Sequence, residues 1–344
     1  MKVRLLTALA FAALGFSFQA EAQQRITVTV YSGVWGASQQ ECILDPFTKA
    51  TGITAVPEPG ISTVTVTKLK QSAPNPTIDV AWVDGGVSEL GYAEGVFDVI
   101  DTAKVPNLSG LEPRAAIKSP DGKVFALNTG YYGFGIFYNT KEIKEAPTSW
   151  WDLWDPKYAN RVMSPAPAQA PFPGYFLHLN KLLGGSPSNF KPGIDKFKTL
   201  KVASYYTATG AIQSAIQSGE VLLGAFYVNA TWGLADKDMP IAAVSPKEGA
   251  TTGDIRVHIA KGTKNLENAY KFINFAVSPD ALNCLAEKLY VGPPLKTPTL
   301  PQKIADRMPW GKGGNVSQLV IPDWNEVNNR KAELLDTWNR EVVK

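Results

Sequence analysis

Several short stretches of this sequence place polar or aromatic side chains where a strand pattern gives way to a loop or a helix. Ser32-Gly33-Val34-Trp35-Gly36 follows the apolar run Ile26–Tyr31. Its glycines let backbone N–H groups approach a ligand, and Trp35 adds an apolar wall with one donor. Asp84-Gly85-Gly86 ends the run Ile78–Val83, where Asp84 either caps the next helix or holds an amine. Tyr132 lies in an aromatic strand whose side chains alternate between faces. Thr207 and Thr209 stand at a helix start, where free N–H groups accept an anion or the hydroxyls only cap. Arg256 offers a planar fork to a carboxylate or phosphonate, with a salt bridge between lobes as the competing use. The chemistry on offer is binding: aromatic walls, one anion fork and carboxylates for an amine.

Motifs for catalysis are missing. There is no G-x-S-x-G, no H-E-x-x-H, no P-loop and no complete G-x-G-x-x-G; Gly133 and Gly135 stand in a strand. The two histidines, His178 and His258, accompany no nucleophile motif, and with Cys42 and Cys284 they form no zinc spacing. The chain reads as no enzyme, with no cofactor and no resident metal.

Composition narrows the class further. With 34 basic and 31 acidic residues the formal charge is +3, and no basic run is dense enough to track phosphates, so nucleic acid is not a partner. Residues 1–22 combine a basic start, a short apolar core and the small-residue end Ala20-Glu21-Ala22, the pattern of a secretory signal peptide. Its removal leaves 322 of the 344 residues, enough for two lobes, since one core stops growing at roughly 250–300 residues. The expectation is a soluble exported protein. Cys42 and Cys284 each sit in a helical pattern and permit one disulfide in an oxidising compartment, or two separate buried thiols.

The elements that must position these residues alternate. After Ile26–Tyr31, Ser38 and Glu41 mark a helix start, Ile43, Leu44 and Phe47 share a face, and Thr51-Gly52 ends it with a left-handed cap. Strands follow at Ile53–Val56 and Ile78–Val83, with a helix at Val87–Gly95, which implies parallel βαβ units. Phe125–Thr140 is a strand of unusual length, fit to run from one lobe into another. Further strands are expected at Arg161–Ser164, Val221–Tyr227, Ile241–Val244 and, after a loop at Pro246–Gly253, at Asp254–Ile259. Helices are expected at Asn265–Val277, Pro279–Leu289 and Asp323–Val343, the last with Val327, Leu334, Leu335 and Trp338 inward.

PFTKATGI (Pro46–Ile53), IDVAWVD (Ile78–Asp84), YYGFGIFYNTK (Tyr131–Lys141), PTSWWDLWDPKYANRV (Pro147–Val162), QSGEV (Gln217–Val221), HIAKGTKNLENAYKFINF (His258–Phe275) and YVGPP (Tyr290–Pro294) occur in this order. Together they resemble the bacterial periplasmic solute-binding proteins that feed ABC importers, in the branch that includes spermidine/putrescine-binding proteins. The resemblance implies an α/β, two-lobe, type II-like fold, each lobe a mostly parallel sheet flanked by helices. Carried over, residues 24–128 plus 254–298 form lobe one and residues 129–253 plus 299–344 form lobe two, with the Tyr131 strand as a hinge crossing. It also implies a monomeric periplasmic protein with a small-molecule solute between the lobes and an inner-membrane permease as partner. Tyr227 and Asn229 occupy the positions where the family places an aromatic and a polar ligand contact, and Tyr290 its aromatic position.

The resemblance departs at the residues that choose the ligand. The family's polyamine binders carry acidic residues in the loop that here reads Pro165-Ala166-Pro167-Ala168-Gln169, without a carboxylate. A further family Asp aligns with Ile255, with Asp254 one residue away and Arg256 beside it. An uncompensated cation is costly to bury, so the expected solute carries a carboxylate or phosphonate, or is zwitterionic with Asp84 or Asp254 on its amine. Polyamine binding is the alternative. Ferric iron, with Tyr205-Tyr206 as the pair of hard ligands, is the second.

Overall fold

The computed structural model describes residues 24–208 and 210–342. Residues 1–22, expected to be a signal peptide, and Thr209 lie outside the described residues. The chain opens with β1 (Arg25–Val30), α1 (Val34–Gln39), a π-helical turn at Gln40–Leu44 and α2 (Asp45–Thr51). Helix begins at Val34 and not at Ser38, because Ser38 is buried and donates its hydroxyl to the Val34 carbonyl at 2.8 Å. Gly52 ends the helix at φ 73°, the left-handed cap that glycine takes without strain.

Next come β2 (Thr54–Pro59), α3 (Ser62–Ser72), β3 (Val80–Asp84), α4 (Val87–Ala93), β4 (Ala116–Lys118) and β5 (Val124–Asn139). The chain continues through β6 (Val162–Pro165), α5 (Phe172–Leu182), α6 (Lys191–Phe197), β7 (Val202–Tyr206), α7 (Gly210–Gln217), β8 (Leu223–Tyr227), α8 (Val228–Ala235) and β9 (Ile241–Val244). It closes with β10 (Thr251–Ile259), α9 (Leu266–Ala276), α10 (Pro279–Leu289), α11 (Gln302–Ala305) and α12 (Trp324–Glu341).

The strand path runs β2-β1-β3-β10-β5-β8-β6-β7. β1 is parallel to β2 and β3, and β6 is parallel to β7 and β8. Between these two parallel sets lie the long strands β5 and β10, antiparallel to each other and to their outer neighbours. This is the two-lobe α/β arrangement with helices on the sheet faces. β10 starts at Thr251, earlier than the loop pattern Pro246–Gly253 indicates, because Thr251–Gly253 pair with Phe134–Tyr132. Their register shifts between Ile255 and Arg256. Thr129 anchors that bulge by donating to the Ile255 carbonyl at 3.1 Å and accepting from Trp82 Nε1 at 3.1 Å.

Buried side chains gather in separate clusters. One packs β1, β3 and the inner end of β10 against α9 and α10, with Phe47, Trp82 and Phe272 at its centre. Another packs Phe134 and Ile136 of β5 with α5, α6 and the α12 residues Leu334 and Trp338. Leu335 is only half-buried. Cys42 and Cys284 are joined as a disulfide that ties the first helical run to α10, with Cα atoms 5.6 Å apart.

Candidate functional site

The carboxyl ends of β1, β3 and β8 meet the start of β10 at the two crossing strands. In an open α/β sheet that is where a ligand crevice forms. Asp84 ends β3 there and is half-buried. Its Oδ1 accepts from the Tyr31 hydroxyl at 2.9 Å and its Oδ2 from the Ser62 hydroxyl at 2.7 Å. Ser62 opens α3 and also accepts from the Asp84 N–H at 3.1 Å. Gly86 precedes the first turn of α4 and its N–H donates to Glu89 at 2.7 Å, so Asp84 is not used as that helix's cap.

No lysine, arginine or histidine pairs with Asp84 among the described residues. Burial raises its pKa; the Ser62 and Tyr31 hydroxyls lower it, Asp254 raises it and Arg256 lowers it. Three phenols share its field. Burial and then the Asp84 charge raise the pKa of Tyr31, Tyr132 and Tyr227. Tyr132 and Tyr227 meet edge to face with centroids 5.8 Å apart, and Tyr31 meets Trp35 in the same way at 6.0 Å. Strand alternation turns Tyr131 to the opposite face, onto Val316 and Leu319.

Arg256 is placed by the sequence as a fork for an anionic solute; in the folded chain that fork is filled. The guanidinium is 3 % exposed. Nε donates to Asp254 Oδ2 at 2.6 Å, Nη2 to Asp254 Oδ1 at 3.2 Å and Nη1 to Glu89 Oε1 at 2.6 Å. The pairing outweighs burial and raises its pKa further. Nη1 also donates to Ser88 Oγ at 3.2 Å, and Ser88 meets His258 Nε2 at 2.8 Å. His258 Nδ1 faces the Ala81 carbonyl at 3.2 Å and must donate, so Nε2 accepts from Ser88. Full burial holds this imidazole neutral, with its pKa down at about 3. With Arg256 against Asp84, Asp254 and Glu89, the centre carries an excess of two carboxylates.

The other expected site residues make no hydrogen bond to these carboxylates or to Arg256 among the described residues. Tyr290 ends α10 and hydrogen-bonds Asp236, while Arg307 donates to Tyr290 Oη at 2.9 Å. Ser32 and Thr207 are exposed, and Thr207 contributes only its carbonyl, to Gln169. Asn229 stands in the first turn of α8 with a buried Oδ1 that has no partner. Trp82 is core, against Phe272. Tyr205 and Tyr206 point to opposite faces of β7: Tyr205 packs on Trp338 at 5.4 Å, and Tyr206 donates to the Ala225 carbonyl at 3.1 Å. That separation removes the proposed iron pair. A cavity of about 250 Å³ lies elsewhere, at the opposite ends of β1 and β3 beside Arg25 and Asp79, away from the Asp84 centre.

Four site residues escape the sequence reading. Tyr31 reads as the end of a strand, and Ser62 sits in a threonine-rich stretch without a pattern. Glu89 has a legible signal, three residues after Gly86. Trp324 lies three residues before Val327, on the inward stripe of the last helix.

A bacterial extracellular solute-binding protein model matches residues 43–308. Spermidine/putrescine-binding periplasmic protein 1 of Haemophilus influenzae is 31 % identical over 272 residues, 76 % of this chain and 72 % of that protein. A Salmonella typhimurium periplasmic protein named for 2-aminoethylphosphonate binding is 25 % identical over 91 % of both chains. The crystal structure of an ABC transporter protein from Clostridium perfringens superposes with a TM-score of 0.79 at 24 % identity, over 92 % of this chain and 99 % of that one. No helix among the described residues is long and apolar enough to cross a membrane. The chain belongs to the bacterial extracellular solute-binding protein family.

Proposed function

We propose that this protein is the periplasmic solute receptor of an ABC importer, and that its solute carries a protonated amine held by Asp84. The single observation that carries the reading is a half-buried carboxylate with two hydroxyl donors, three surrounding phenols and no cationic partner of its own. A carboxylate in such a place is stabilised by a ligand cation, and aromatic faces attract ammonium groups. Arg256 supports the same choice, since its guanidinium is already matched to Asp254 and Glu89. The solutes in the names of both relatives, spermidine/putrescine and 2-aminoethylphosphonate, contain a primary amine. The sequence leads to a carboxylate or phosphonate solute, zwitterionic with Asp84 or Asp254 on its amine, or to a polyamine; this reading makes the amine on Asp84 the anchor in either case.

In this reading, residues 24–128 plus 254–298 and residues 129–253 plus 299–344 form the two lobes, and β5 and β10 are the crossings about which they close. Tyr132 lies on one crossing and Tyr227 on the lobe beyond, so closure brings the aromatic walls onto the solute. The role is capture and delivery to a permease, without turnover. Thermal unfolding with putrescine, spermidine, 2-aminoethylphosphonate and succinate tests it. A ligand at 100 times its Kd stabilises the native state by about 2.7 kcal/mol. Stabilisation by one or more amines and not by succinate is the expected result; stabilisation by succinate alone refutes the amine.

A further inference from the structure

α12 is held at its far end by Leu334 and Trp338, buried among Phe172, Phe197 and Tyr205. Arg330 fixes its middle by donating to the Pro187 carbonyl at 2.8 Å. Its first turn projects out of that core onto the acidic centre. Trp324 Nε1 donates to Asp254 Oδ1 at 3.1 Å, and Asn328 Nδ2 donates to the Gly86 carbonyl at 2.8 Å. The indole lies so close over the loop that a Cβ on Gly85 would sit 2.9 Å from Trp324 Cε2 and nearer still to Nε1 and to Asp254 Oδ1. Glycine at 85 is therefore what admits the ring. The Gly85 N–H in turn donates to the Asp254 carbonyl at 2.9 Å, so loop, indole and Asp254 form one packed unit.

Asp254 is 2 % exposed and Asp84 half-buried, and the two differ in how fully they are used. Asp254 receives two guanidinium bonds and the indole N–H; Asp84 receives hydroxyls alone. We infer that Trp324 is a positioning residue that sets specificity: it holds Asp254 on Arg256, which also pairs Glu89, and leaves Asp84 as the one carboxylate of the three without a guanidinium, for a cation at this end of the crevice. The class selected is a solute that brings a single ammonium to the Asp84 centre, its other end being neutral, anionic or placed far away. A compact diamine with both charges in the centre is disfavoured. This rests on the amine reading of Asp84.

Trp324→Phe keeps an aromatic ring on Gly85 and removes the donor, while Trp324→Ala removes both. Titration calorimetry at neutral pH with 1,3-diaminopropane, a compact diamine, and 2-aminoethylphosphonate compares two ammonium groups with one. Trp324→Phe is expected to move the affinity ratio toward the diamine by about tenfold, the size of one lost bond to a charged group. A merely structural role lowers both affinities together in either variant, and that result overturns the inference, as does an unchanged ratio. Ligand-free protein tests the contact by itself: the indole N–H resonance absent from Trp324→Phe should exchange slowly with solvent and shift in Asp254→Asn. Fast exchange and no shift overturn the inference. Failure of wild type to bind any amine, with that resonance protected and shifted, counts against the amine reading alone.

Discussion

Replacing Asp84 by Asn tests the acidic centre most directly, because it removes the charge and almost nothing else. Tyr31 and Ser62 are hydroxyls that both donate and accept, so they can rotate to satisfy an amide where they now serve a carboxylate. What disappears is the charge-assisted bond to the solute's ammonium, worth about 1.5–3 kcal/mol. That corresponds to a Kd weaker by roughly 10- to 150-fold. The unliganded fold should not suffer. Burial raises the Asp84 pKa, so the ionised form is the one the fold disfavours, and at neutral pH the neutral Asn leaves stability equal or higher. The same shift sets a pH signature. Amine binding needs Asp84 ionised, so wild-type affinity should fall as pH drops through a raised pKa, starting above the ordinary carboxylate value of 3.8. Asp84→Asn should lack that fall. Calorimetric titration of putrescine and 2-aminoethylphosphonate between pH 4 and pH 8, with thermal unfolding of both proteins, gives the comparison. Wild-type affinity in Asp84→Asn for every amine that binds the parent would refute the reasoning.

Arg256→Ala strands the buried carboxylate of Asp254 and that of Glu89; breaking a buried pair costs about 3–5 kcal/mol, so urea unfolding should shift strongly, and weaker solute binding with unchanged stability would contradict this account. Gly85→Ala drives a methyl into Trp324 and Asp254; overpacking of this kind costs about 1–3 kcal/mol, and a melt indistinguishable from wild type would show that the indole does not lie there. His258 titrates at about 3 in the fold against 6.5 unfolded, so unfolding takes up a proton between those values. Stability should therefore fall as pH drops through that window, by up to ~1.4 kcal/mol per pH unit from this group, and the slope should be shallower in His258→Gln. Reducing the Cys42–Cys284 bridge, or replacing both residues by Ser, should lower stability by about 2–4 kcal/mol in denaturant titrations, with the expected loss absent if the thiols are separate in the native protein.

The sequence by itself determined the alternating α/β order, the long strand at β5, and the positions of Asp84 and Tyr227 at strand ends and of Tyr132 within β5. These follow from periodicity, glycine caps and strand polarity, which are local properties. It also left the two cysteines open between a bridge and separate thiols, since a 242-residue separation has no local signature. The tertiary structure decided who partners whom. Arg256 reads as an anion fork because its strand neighbours are known and its spatial neighbours are not; Glu89 arrives from α4 and closes that fork. Tyr290 reads as a ligand contact by position, yet its phenol reaches Asp236 and Arg307 across more than fifty residues of intervening chain in one direction. Trp324 reads as one more turn of an amphipathic helix, and only the packing of that helix sets its indole on the Asp84-Gly85-Gly86 loop. Charge compensation is a property of neighbours in space, so the sign of the solute could be argued only after the fold had assembled the carboxylates around one already occupied guanidinium.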